Sequence, residues 1–397
     1  MLFLLAAGWA VAYANRTVLY PLLSVIAVTY SLSSADVGFL TGSYFFTYLL
    51  LQVPAGILGD RFGMRRVLIW TYAVASIGAI GLGLVVGNYP AMVFFMALHG
   101  LGAGGFYPSS FGLMMQKVEP QRRAFSSALV GIGMAIGLLT GMTGSGWLYE
   151  VYGDIRVPIL LFAIPSVLMF YFFYRYLPDT VGGTTSTWSQ YKAILLDFDL
   201  WRINLVTFTA LYGFWVAVTW GPTFLKIERG FSLGAAGFFT GMIAISAIPA
   251  SIFWARRADR VGRKKVALFV LPAAAFALLL LPVFENHMVL VGLLLLFGML
   301  SNTAFVPSML AWSADIVEQR HPGLTGASVG IFNGSIMLSA VVAPVVSGFL
   351  RDQTGSLGPA LTAAAMMMIL GTLLMMTIPT AKRDQQIEKY GVDGMKR

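Results

Sequence analysis

The sequence predicts an all-α membrane protein, with twelve transmembrane helices in two pseudo-symmetric six-helix bundles. Three observations predict it. Of the 397 residues 58% are hydrophobic and only 11% charged, with a mean hydropathy of +0.78, whereas a soluble domain carries about 25% charged residues. Apolar runs of about 20 residues or more recur from end to end, each long enough to cross a bilayer. The second half of the chain also echoes the first: Gly59-Asp60-Arg61-Phe62-Gly63 returns as Ala258-Asp259-Arg260-Val261-Gly262, an offset of 199 residues from Asp60 to Asp259.

Taken in order, the first six stretches fall at about 2–29, 35–58, 66–87, 90–117, 122–149 and 155–177. The second six fall at about 203–226, 233–256, 265–284, 288–314, 324–350 and 357–379. The run from Leu2 is longer than a signal-peptide core and has no basic leader, so it reads as the first span. Further pairs keep the repeat in register: Tyr13 with Tyr212, Thr41-Gly42 with Thr240-Gly241, and Phe106-x-Pro108-Ser109 with Phe305-x-Pro307-Ser308. Near the ends of the fifth and eleventh stretches the offset becomes 202, matching Gly146-Trp147-Leu148 to Gly348-Phe349-Leu350. This organises the chain as an N-terminal bundle (1–178), a linker (179–202), a C-terminal bundle (203–379) and a tail (380–397). In the linker Trp188, Tyr191, Leu195 and Phe198 share one helical face, the pattern of a short helix lying on a membrane surface; an unstructured linker fits the same residues. The tail is polar and reads as solvated.

The net charge of +9 invites a nucleic-acid reading, but the cations sit in alternate short loops rather than on one face. That is a topology signal. With both termini in the cytoplasm, only Arg156, Lys226, Arg229 and Arg351 fall on the other side, and Arg16 remains inside a span. The absence of cysteine excludes disulfides and thiolate metal sites. No phosphate loop, zinc-ligand cluster or nucleophile–histidine–acid set is present, so no enzyme, cofactor or metal is expected.

In Gly56-Ile57-Leu58-Gly59-Asp60-Arg61-Phe62-Gly63-Met64-Arg65-Arg66 the glycines permit a tight turn and the cations hold it at the membrane surface. This resembles the signature loop of the major facilitator superfamily between its second and third helices. Met64 stands where a basic residue is common in that loop. The resemblance covers essentially the whole chain and implies secondary transport by alternating access. It also implies a gating role for Asp60, Arg61 and Arg65, with Asp259 and Arg260 as their second-half counterparts. Two other signatures of the superfamily are missing: Met96 replaces the arginine of the fourth helix, and the antiporter motif of the fifth lacks its proline.

Arg16 is the residue most in need of an explanation. It lies about 20 Å from either end of the first stretch at helical rise, too far for its side chain to reach water. An unpaired charge at that depth costs at least ~2.5–3.5 kcal/mol, so it should face a polar cavity. Trp9, Tyr13, Arg16 and Tyr20 are spaced 4, 3 and 4 along one stripe. Tyr44, Tyr48 and Gln52 form a second stripe, and Tyr212, Trp215 and Thr219 stand at the repeat positions of Tyr13, Arg16 and Tyr20. Rings around a guanidinium suit an organic anion, although each ring alone is more often packing. Asn302 and Asn333 are further candidates, for which helix–helix hydrogen bonding is the plainer role. His99 can titrate near neutral pH and is a candidate proton site, and an ordinary core histidine fits it equally.

The expected function is transport of a small organic anion, a monocarboxylate, held by Arg16. An exporter of drugs or other hydrophobic metabolites is the first alternative, opposed by the central arginine and by the lack of any acid deep in a span. A membrane sensor that binds without transporting is the second. The expected partners are the anionic solute, a coupling proton or counter-anion and the lipid bilayer, with no nucleic acid. A monomer in the plasma (cytoplasmic) membrane is expected.

Overall fold

The computed structural model describes residues 1–119, 123–180, 196–320 and 325–379. The described residues are helical throughout, apart from short connections. The helices are α1 (Leu2–Thr17), α2 (Leu19–Thr29), α3 (Ser34–Phe62), α4 (Met64–Leu84), α5 (Tyr89–Gly104), α6 (Phe106–Lys117), α7 (Arg123–Tyr152) and α8 (Arg156–Tyr176). They continue as α9 (Phe198–Ile227), α10 (Leu233–Val261), α11 (Arg263–Leu280), α12 (His287–Leu300), α13 (Asn302–Arg320), α14 (Thr325–Thr354) and α15 (Gly358–Thr377). Each of the twelve predicted stretches is thus covered by one helix or by two in series. Nine helical stretches among the described residues are long and apolar enough to cross a membrane. Helices are the expected solution, because hydrocarbon offers no partner to backbone N–H and C=O groups. The surface helix expected at 181–195 and the tail at 380–397 lie outside the described residues.

Two of the breaks have a local cause. Pro21 has no N–H to give the carbonyl of Thr17, and the hydrogen-bond ladder is interrupted at Val18, whose backbone stays right-handed helical. Pro108 likewise withholds a donor from Gly104, and the ladder is interrupted at Gly105, whose backbone also stays right-handed helical. The tenth stretch breaks at Ser301, between α12 and α13. The signature turn takes the same form in both copies: Gly63 and Gly262 have φ of 93° and 97°, a region that favours glycine.

Contacts divide the chain into two compact units. The first comprises Met1–Thr185, Val218–Gly241 and Pro344–Gly355. Within it α1 and α7 meet along a register of small residues. A Cβ on Gly133, Gly137 or Gly141 would run into the backbone carbonyl of Ala6, Ala10 or Ala14 respectively, so the two backbones touch as in small-residue membrane packing. On α4, Arg65 donates to Asp179 and to the carbonyl of Tyr174 at the end of α8.

Two carboxylates in this unit cap helix N-termini. Asp352 accepts from the backbone N–H groups of Ser34 and Ala35, both at 2.7 Å, at the start of α3. Glu150 accepts from the N–H of Gly234 at 2.9 Å, at the start of α10. The two caps are related by the repeat, Ala35 with Gly234 and Glu150 with Asp352. Each carboxylate satisfies N–H groups that have no partner within their own helix and opposes the positive end of the helix dipole. Substituting both Glu150 and Asp352 by alanine is expected to cost about 0.5–2 kcal/mol per cap. Thermal unfolding in detergent measures this. An unchanged midpoint in the double variant would show that the caps hold nothing in place.

The second unit comprises Ser186–Ala217, Met242–Ala343 and Ser356–Arg397. Here Lys264 donates to the carbonyls of Met376 and Ile378, repeating what Arg65 does at Tyr174. Arg263 pairs with Asp315 at 2.6 Å. Met64 stands at the position of Arg263 in the first copy and packs its sulfur toward Gly59 and Gly112 instead. Arg320 bridges Asp197 and Asp199 at 3.1 and 2.6 Å. Burial opposes ionisation of Asp197, but hydrogen bonds from Arg320 and from the N–H groups of Leu200 and Asp199 outweigh it and hold the carboxyl below the usual carboxylate range. A depressed carboxyl stabilises the fold above its unfolded pKa, and that support is lost as pH falls through the folded one.

Candidate functional site

The site is assembled within the first unit, around the last turn of α1. Arg16 is only 2% exposed. Its guanidinium carbon lies 3.8 Å from the centre of the Tyr13 ring, 5.2 Å from Phe45 and 5.9 Å from Tyr44. Three aromatic faces therefore surround the cation, which is favourable when the charge is withdrawn from water. The break at Val18 follows directly, and Thr17 turns its hydroxyl back to the carbonyl of Tyr13 at 2.8 Å.

Arg16 and Tyr13 share a cavity with Trp9 and Ala12 of α1, Tyr44 and Tyr48 of α3, Ala103 of α5, and Phe106 and Tyr107 of α6. The rings brace one another. Trp9 meets Phe106, Tyr107 and Phe111 edge-on at 5.2–5.5 Å, Tyr107 stacks on Phe111 at 4.5 Å, and Tyr44 stacks on Tyr48 at 6.0 Å. The space open to the centre of a water is about 10 Å³, room for about one water. A solute of several carbons needs this cavity to widen.

Of the residues predicted from the sequence, the structure brings Arg16, Tyr13, Tyr44 and Tyr48 together. Tyr20 is fully buried beyond the break at Val18 and does not line this cavity. Gln52 is buried one turn along from Tyr48. Tyr212 and Trp215 belong to the second unit and are buried there, with Trp215 edge-on to Phe214 at 5.2 Å. Asn333 is half-buried on α14, and the side chain of Asn302 lies outside the described residues. So do the side chains of Asp60 and Asp259. Arg61 and Arg260 are exposed, with Arg61 over the Phe62 ring at 5.3 Å.

Phe45, Phe106 and Tyr107 are the residues that sequence reasoning missed. The available signal was Gly104-Gly105 followed by Pro108. Small residues there let α5 approach α3, where a Cβ on Gly104 would strike the carbonyl of Tyr48.

His99 lies in a second cavity, with Ala12, Asn15, Tyr72, Ala75, Ser76, Ala103, Phe106 and Ser166. It is 2% exposed, and its Nδ1 is 2.8 Å from the carbonyl of Ala75. Ala12, Ala103 and Phe106 line both cavities.

A helical membrane fold with an internal repeat and a buried cation among aromatic rings describes a carrier of small solutes. The sequence model described as Major Facilitator Superfamily matches residues 5–327 and, in a second overlapping match, 205–391. The chain belongs to the major facilitator superfamily, and it is a membrane transporter rather than an enzyme. It is 24% identical to a voltage-gated purine nucleotide uniporter of Rattus norvegicus, over 89% of this chain and 83% of that protein. A probable sulfoacetate transporter of Cupriavidus necator is 23% identical over 96% of this chain and 94% of that protein. Among solved structures, a bacterial homologue of the human lysosomal transporter Spinster, in an inward-facing and occupied conformation, superposes with a TM-score of 0.74. It is 16% identical over 95% of this chain and 94% of that one, and shows the fold alone.

Proposed function

We propose that this protein carries a small organic anion, with a monocarboxylate as the preferred form, by alternating access, and that Arg16 is the anion's anchor. The observation that carries the proposal is a guanidinium 2% exposed within a ring of aromatic side chains. Guanidinium grips the two oxygens of a carboxylate in a bidentate fork, and the flanking rings receive the carbon body. The relatives support an anion, since sulfoacetate and purine nucleotides are both anionic. One fixed cation is best balanced by one negative charge, because a second would be buried without compensation.

In this reading the signature turns gate the cavity. Asp60, Arg61 and Arg65 act in the first copy and Asp259 and Arg260 in the second, and Arg65 already anchors its turn to the end of α8. The bundles 1–178 and 203–379 move against each other. Both termini face the cytoplasm, and the protein works as a monomer in the plasma membrane.

The test is a calorimetric titration of purified protein with pyruvate, pyruvamide, sulfoacetate and glycerol phosphate. Pyruvate is expected to bind at least tenfold more tightly than the uncharged pyruvamide, and more tightly than the two dianions. If pyruvamide binds as well as pyruvate, Arg16 is structural and the anion reading fails. If sulfoacetate or glycerol phosphate binds best, the monoanion preference fails and the anion reading stands.

A further inference from the structure

The second cavity is built from acceptors. His99 Nδ1 faces a carbonyl, which only accepts, so the ring's proton is on Nδ1 and donates to Ala75. That leaves Nε2 with a lone pair, and among the described residues it has no hydrogen-bond partner. Asn15 Oδ1 is in the same position, on a side chain 5% exposed. The two hydroxyls of the cavity have spent their protons elsewhere: Ser76 donates to the carbonyl of Tyr72 at 2.8 Å and Ser166 to that of Ala163 at 2.6 Å. A buried polar atom without a partner is costly, and two acceptors sharing a cavity with room for about one water call for a donor.

We infer that the Asn15–His99 cavity is the proton-binding site of this transporter, and that its occupancy is linked to the charge at Arg16. The inference rests on the anion reading only for that link. The proton adds to the Nε2 lone pair while Nδ1–H stays on Ala75. The new N–H donates to Asn15 Oδ1, directly or through the one water the cavity admits. No bond to carbon changes, and the proton comes from and returns to water.

Among the described residues, the titratable and charged groups around His99 are Arg16 on α1, Tyr44 on α3 and Tyr72 on α4, with Tyr48 and Tyr107 in the adjoining cavity. The acids of α3, Asp36 and Asp60, stand at its ends. Arg16 is therefore the charge that matters. The Tyr44 ring connects the two sites, lying 5.1 Å from the His99 ring and 5.9 Å from the Arg16 guanidinium. An imidazolium beside a guanidinium is repelled. An anion on Arg16 removes the repulsion, so anion and proton each raise the affinity for the other by the same factor. The pair of sites then binds anion and proton together.

The experiment is ¹⁵N nuclear magnetic resonance of protein labelled at histidine, purified whole in detergent. His99→Gln identifies the His99 signal among the three histidines. The neutral ring is expected as the Nδ1–H tautomer. Neutralising the neighbour in Arg16→Gln is expected to raise the proton affinity of His99 at least tenfold, and Asn15→Leu to lower it by a similar factor. Asn15→Leu also serves if Arg16→Gln does not fold. A His99 that stays neutral to pH 4 in wild type and Arg16→Gln alike would show a water site and overturn the inference. So would a titration that neither substitution moves, or a signal that shifts with sodium chloride at constant pH and not with potassium chloride. None of these readouts needs a bound anion, so failure of pyruvate to bind would sink the anion reading and leave the proton site standing.

Discussion

Arg16→Ala is expected to abolish anion binding at unchanged expression. Removing one member of a buried charge pair costs about 2–5 kcal/mol, roughly 30-fold to several-thousand-fold in Kd. Most of that loss is the anion left buried without its cation, because the rings of Tyr13, Tyr44 and Phe45 cannot replace a charge. Arg16→Lys should keep weak binding, since it retains the charge and loses the fork. The comparison is made by titrating pyruvate into each variant and by uptake into proteoliposomes. The thermal midpoint of each variant is read alongside. If Arg16→Ala lowers the midpoint by many degrees and leaves the Kd of the surviving folded protein unchanged, Arg16 is an internal strut and not an anchor.

Gly137→Leu is expected to have the largest effect on folding. The glycine lies where a Cβ would meet the carbonyl of Ala10 and the Cβ of Tyr13, and the carbonyl is backbone that cannot swing aside. Four added carbons must therefore push α1 from α7. The cost should lie at or above the upper end of the ~1–3 kcal/mol typical of overpacking. Because α1 carries Trp9, Tyr13 and Arg16, the cavity would be lost with the contact. Gly131→Leu, on the same helix with nothing within 4 Å of its Cβ position, is the control. Size-exclusion yield and thermal midpoint should fall sharply for Gly137→Leu and little for Gly131→Leu. Equal behaviour of the two variants would mean that the close α1–α7 approach contributes nothing to stability.

Much of this protein is determined by its sequence alone. A bilayer offers no partner to a backbone group, so runs of apolar residues of spanning length have to be helices. The family follows from the doubled signature turn, and the same glycine conformation at Gly63 and Gly262 shows why the motif needs that residue. Arg16 is conspicuous for an energetic reason, since a cation at that depth demands company. Even the α1–α7 contact leaves a trace, as Gly133, Gly137 and Gly141 recur every four residues opposite Ala6, Ala10 and Ala14.

What only the tertiary structure decided is which face of each helix looks inward. In a soluble protein, water marks the outer face with polar residues, but lipid is as apolar as a core, so these helices are apolar all round and carry little phase information. Helical spacing therefore placed Tyr20 with Tyr13 and Arg16, whereas Tyr20 is fully buried and does not line their cavity. Phe106 and Tyr107 line that cavity from α6, and Phe45 of α3 reaches Arg16. Asn15 and His99 stand 84 positions apart in the chain, numbered 15 and 99. Nothing in their local sequence pairs them. They line one cavity, where α4 packs so closely on α5 that a Cβ on Gly78 would strike the backbone of His99.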